Sequence, residues 1–156
     1  MAIVLLKNTI KDIIENSLSI PYYRLTKPDA NLKMAVTEAD GPFAVHLDQT
    51  TVSTNQSQNG GFRLKEIPTE ILFISKEVTT DDDLDTNDAL VDTAEQLADR
   101  FFDLMIQSGV VSDLVDTPSY DLERAEAYKE LDLIATGVKF ICTFSVDQNI
   151  YYCNGN

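Results

Sequence analysis

The stretch Gly137-Val138-Lys139-Phe140-Ile141-Cys142-Thr143-Phe144-Ser145-Val146 decides the fold. Val138, Phe140, Cys142, Phe144 and Val146 fall on one face of an extended chain and Lys139, Ile141, Thr143 and Ser145 on the other, the period of two that a β-strand with a buried face requires. A strand so apolar on one side needs a covering layer. Leu90, Ala94, Leu97, Ala98, Phe101, Leu104 and Met105, at steps of three and four, predict an amphipathic helix over 88–108, about five turns long, that can supply it. Thr86 or Asn87 is placed to cap its start and Gly109 to take the left-handed position after its end. Asp81, Asp82, Asp83, Asp85 and Asp88 cluster at its N-terminus, where the helix dipole favours negative charge.

The rest of the chain extends this pairing of strand and helix. Ile3, Leu6, Ile10, Ile13 and Ile14, with Lys7, Lys11, Asp12 and Glu15 between them, predict an amphipathic helix over 3–16, ended by Asn16, Ser17, Ser19 and Ile20-Pro21. Tyr22 to Leu25 and Leu32 to Glu38 read as short strands broken by Pro28-Asp29. Phe43, Val45 and Leu47 alternate with Ala44, His46 and Asp48 as a half-buried strand, which Thr50 to Val52 can extend. The polar stretch Ser53 to Gly61 reads as a hairpin loop. Phe62 to Val78 loads both faces, as a central strand covered on each side does, and Pro68 limits its pairing. Val110 to Val115 reads as a strand. Tyr120 to Leu133 fits a helix and a strand equally, and residues after Gln148 form a polar, aromatic-bearing tail. The fold expected is α+β: a mixed, mainly antiparallel sheet with two helices packed on one face, in a single domain over 1–156 with 147–156 as a flexible tail.

Composition narrows the function. The 156 residues hold 44% hydrophobic and 24% charged side chains, within the globular range. Twenty-six acidic against 12 basic residues give a net charge of −14 and a pI near 4.2. Such a surface repels phosphate, and no run of Lys or Arg offsets it, so sequence-specific nucleic-acid binding is not expected. The acidity keeps a free subunit soluble, and it suits a protein that lets DNA pass without sticking. The apolar start is interrupted by Lys7, Lys11, Asp12 and Glu15 well before a membrane span, and it lacks the pattern of a signal peptide. Cys142 and Cys153 have neither Cys-x-x-Cys spacing nor a nearby histidine, so a reducing compartment is expected.

No catalytic, cofactor-binding or metal-ligating residue is assigned. Asp81-x-Asp83-x-Asp85-x-Asn87 with Asp92 in twelfth place echoes a calcium loop, but Thr86 stands where glycine is wanted and Asp92 replaces the bidentate glutamate. A solvated acidic loop is the better reading. His46, the single histidine, has no second imidazole with which to build a zinc cluster, and Cys142 lies on the apolar face of a strand, where thiols are inert. Gly60-Gly61 is followed by no Gly-Lys-Ser/Thr and opens no helix, so it is not a phosphate loop.

The order of elements, with Ile10-Lys11-Asp12-Ile13-Ile14, Phe43-Ala44-Val45-His46-Leu47, the helix from Asp88 to Ser108 and Asp132-Leu133-Ile134-Ala135-Thr136-Gly137-Val138-Lys139-Phe140, resembles the tail terminator and tail-completion proteins of tailed bacteriophages, the minor tail protein U-like family. The resemblance spans nearly the whole chain, through element order and short motifs. It implies a structural protein of the virion, assembled in the bacterial host cytoplasm, with no enzymatic activity and no cofactor. Copies would form a ring, commonly a hexamer, that caps the tail tube or joins it to the head or neck. Other tail, neck or portal-associated proteins would be its partners, with no membrane involved. It also places a strand at 121–131. The loop Ser53 to Gly61 and the tail from Gln148, with Ile150, Tyr151 and Tyr152, would serve as docking arms. Two further classes stand beside this reading: a small metal-dependent hydrolase using Asp81, Asp83 and Asp85, and a monomeric protein-binding module.

Overall fold

The computed structural model describes residues 2–25, 40–47, 53–56, 63–76, 84–112, 118–125 and 135–147. Two long apolar strands form its centre. Strand β4 (Arg63–Lys76) and strand β6 (Ala135–Asp147) pair antiparallel in unbroken register from Leu64 opposite Asp147 to Lys76 opposite Ala135. Around them lie β1 (Tyr22–Leu25), β2 (Phe43–Leu47), β3 (Ser53–Gln56) and β5 (Tyr120–Ala125), in the order β1-β2-β4-β6-β5, with β3 on β4. All neighbours are antiparallel except β1 and β2, which are parallel. The fold is α+β, as expected. Among the described residues two helices, α1 (Ala2–Asp12) and α2 (Leu84–Gln107), accompany the sheet.

Both helices lie on one face of the sheet. Leu6, Ile10, Ile13 and Ile14 of the N-terminal segment share one buried cluster with Val91, Ala94, Ala98, Phe101 and Met105 of α2, and with Ile67, Ile71, Phe73, Val138, Phe140 and Phe144 of the sheet. Phe140 is the hub: its ring lies within 6.5 Å, centroid to centroid, of Phe73, Phe101, Phe102, Tyr120 and Phe144. The reverse face is buried too. Leu25, Phe43, Val45, Leu72, Ile74 and Ala135 form a second cluster there, which is why β4 carries apolar residues at consecutive positions.

Pro68 sits inside β4 without breaking it. Ala44 donates its N–H to Pro21 O at 2.9 Å, so Phe43, Val45 and Leu47 turn their backbone groups toward β4, and their partners Ile74, Leu72 and Glu70 turn theirs toward β2. Pro68 shares the parity of these even-numbered residues. Its missing N–H therefore faces the gap between Glu70, paired with β2, and Glu66, paired with β3, where no described strand lies. The ladder to β6 loses nothing.

Several local expectations are corrected. The N-terminal helix closes in a π-helical turn, Ile13–Ser17, in which Leu18 donates to Ile13 O at 2.9 Å, and Ser19 takes a left-handed φ of 57°. Helix α2 begins at Leu84, so Thr86 and Asn87 lie within its first turn and do not cap it. Its other end is as expected, with Gly109 at φ 76° and Ser108 donating its N–H to Leu104 O at 3.0 Å. Val110 to Ser112 form no strand; Ser112 instead donates its N–H to Ser145 O at 2.7 Å, beyond the end of β5. Ser53–Gln56, expected in a loop, pair with Arg63–Glu66, because backbone hydrogen bonds along β4 need no apolar side chains. Residues 120–125 are a strand, settling the ambiguity there. Asp147, expected to open the flexible tail, instead ends β6 opposite Leu64. The expectations for 32–38, 50–52, 57–61, 62, 77–78 and 113–115, for the remainder of Tyr120 to Leu133 and for the tail from Gln148 lie outside the described residues.

Candidate functional site

His46 is buried on the helix-bearing side of β2, and its Nδ1 lies 2.8 Å from the phenolic oxygen of Tyr22 on β1, in a hydrogen bond whose donor follows the imidazole tautomer. This pairing satisfies the ring inside the fold. Cys142 lies in the core opposite Thr69 on one side and Tyr120 on the other. Burial, with the negative charge of Asp121 in second place, pushes its thiol up to about 12, so no thiolate forms at neutral pH. Asp81, Asp82, Asp83, Gly60 and Gly61 lie outside the described residues. Asp85, Thr86 and Asn87 start α2, and Asp88 and Asp92 follow on its exposed side. Among the described residues, no three of His, Cys, Asp and Glu are grouped so as to hold a metal ion, and no helix is long and apolar enough to cross a membrane.

The surface has a pronounced polarity. On α2, Asp88, Asp92, Glu95, Asp99 and Asp103 are all exposed, and their spacing of three and four confines them to an arc of about 80°. This acidic band runs along the β5 end of the sheet. Asp88 accepts a hydrogen bond at 3.1 Å from Arg124 of β5, and Asp99 accepts one from the hydroxyl of Tyr120. That hydrogen bond, followed by burial and the charges of Asp99 and Asp103, raises the Tyr120 phenol to about 12.

At the β1 end lies the opposite charge. Lys7 and Lys11, one turn apart on α1, and Arg24 of β1 line a pocket of about 380 Å³ together with Asn8, Tyr22 and Glu15. Lys11 and Arg24 are exposed and Lys7 half-buried, and Lys7 and Arg24 also make polar contacts within the chain. In a chain with 12 cationic side chains against 26 anionic ones, three cations at one pocket are a marked concentration. The sequence reading missed both features. The acidic spacing on α2 was legible on the helix face opposite the apolar one, but Arg24 joins the lysines only through the fold.

A comparison with known proteins finds no family model that matches the chain and no curated protein that matches it.

Proposed function

We propose that this chain is a structural virion protein that forms a ring at the end of a phage tail tube or at the head–tail neck, joining tail to head. The observation that supports this reading is architectural. An amphipathic N-terminal helix, paired strands, a long helix and a C-terminal apolar strand occur in the order on which the resemblance to tail terminators rests, with both helices on one face of a single sheet. The strand at 120–125 also agrees with the strand that the family pattern places there. In a ring of this kind the chain works by packing, and its chemistry is that of complementary surfaces.

The test is the native mass of the purified chain by light scattering, followed by negative-stain imaging of the assembled species. A multiple of 17.4 kDa, sixfold for a hexamer, with an annular outline supports the reading. A monomer at every concentration, alone and with isolated tail tubes, overturns it in favour of a monomeric binding module.

A further inference from the structure

We propose that copies of this chain associate head to tail, the acidic band of α2 on one copy docking at the basic pocket between α1 and β1 of the next. This rests on the ring reading and gives the ring a polarity. The two patches occupy opposite ends of the described sheet, β5 and β1, on the side where both helices lie. The band reaches the β5 end through Asp88 and Asp99, and the pocket reaches the β1 end through Arg24, so the two patches face opposite edges of a sheet about 19 Å, or four strand spacings, across.

The occupant is a second copy because the charges and spacings match. Lys7 and Lys11 stand one helical turn apart, and so, to within a residue, do successive carboxylates of the band, about 5–6 Å in each case. Net charge selects the orientation. Two chains of −14 repel each other over most approaches, and the approach that sets Lys7, Lys11 and Arg24 against Asp92, Glu95 and their neighbours replaces repulsion with attraction. Such a contact joins unlike surfaces, so each copy docked through one of them presents the other to the next copy, and the chain of contacts ends only when it closes on itself.

The test is a charge swap in the full-length chain, read as native mass. Lys7→Glu with Lys11→Glu makes both surfaces acidic, and Asp92→Lys with Glu95→Lys and Asp103→Lys makes both basic. Each variant alone is expected to be monomeric at a concentration where the wild type is assembled. Mixed in equal amounts, they are expected to regain the wild-type mass, because acidic band meets basic pocket at one contact and the reversed pair meets at the next. Recovery on mixing also shows that both variants are folded. If a reversal unfolds the chain, Lys7→Gln with Lys11→Gln takes its place and is expected to weaken assembly. An assembled wild type that neither reversal disturbs, or folded variants that stay monomeric on mixing, overturns the head-to-tail docking while leaving the ring standing. A wild type that never assembles overturns both.

Discussion

Gly137 lies opposite Ile74 in the β4–β6 ladder so closely that the carbonyl oxygen of Phe73 occupies the space a Cβ would need. The obstacle is backbone on the central strand, which cannot swing aside as a side chain can. Gly137→Ala is therefore expected to destabilise the chain by about 1–3 kcal/mol, the usual cost of overpacking, or more if the ladder shifts. The denaturant midpoint checks this; an unchanged midpoint means the strands can separate locally without loss.

Phe140 and Phe101 are fully buried and meet edge to face at 5.2 Å between centroids. Phe140→Ala removes the ring around which five others gather, and Phe101→Ala opens the seam between α2 and the sheet. Each is expected to cost about 3–5 kcal/mol, read from urea unfolding. A midpoint within error of the wild type for either variant sinks the assignment of that residue to the core.

Tyr120 gives a pH signature. An unfolded tyrosine ionises near 10 and the native Tyr120 near 12, so between these values the unfolded chain releases a proton that the folded chain retains. The contribution of Tyr120 is present in full below pH 10 and declines as the pH rises through that window. The stability difference between wild type and Tyr120→Phe should shrink from pH 9 to pH 11, and a difference independent of pH would show the contact with Asp99 to be absent in solution.

Cys142 should resist alkylation. With the thiol raised to about 12 in the core, iodoacetamide at pH 8 is expected to label it far more slowly in the native chain than after unfolding, measured by peptide mass in a Cys153→Ser background. Rapid native labelling would mean that the β5 edge opens readily.

Asp81, Asp83 and Asp85, replaced together by asparagine, are expected to leave the melting temperature within about a degree or two, and millimolar calcium or magnesium should not shift the wild type. A calcium-dependent rise abolished in the triple variant would return the metal-dependent hydrolase to contention.

The parts of the fold legible in the sequence were those where one physical demand dominated. Val138 to Val146 alternate cleanly because one face of β6 meets the helices, and Val91, Ala94, Ala98, Phe101 and Met105 keep helical spacing because α2 lies along the sheet. The double burial of β4 was legible in its consecutive apolar residues Ile71 to Ile74. Tyr120 to Ala125 could not be assigned because Tyr120 and Leu122 meet the core from an edge while Asp121, Glu123 and Arg124 stay exposed, a pattern a helix imitates. Ser53–Gln56 escaped notice because that pairing is a backbone matter. The basic pocket was hidden for a third reason: Arg24 and Lys11 are distant in sequence, and nothing local says that β1 lies beside α1.

The ladder between β4 and β6 also governs how the chain can be made. Its partners are between about 60 and 80 residues apart, with α2 between them, and contacts of such long sequence separation form slowly. On the ribosome, β4 emerges with apolar residues on both faces and waits for β6 until Asp147 has been synthesised. During that interval its edge is open to any other nascent chain, and the residues through Lys76 carry no net charge, eight acidic against eight basic, so repulsion between neighbouring unfinished copies builds only as the eighteen acidic and four basic residues that follow are added.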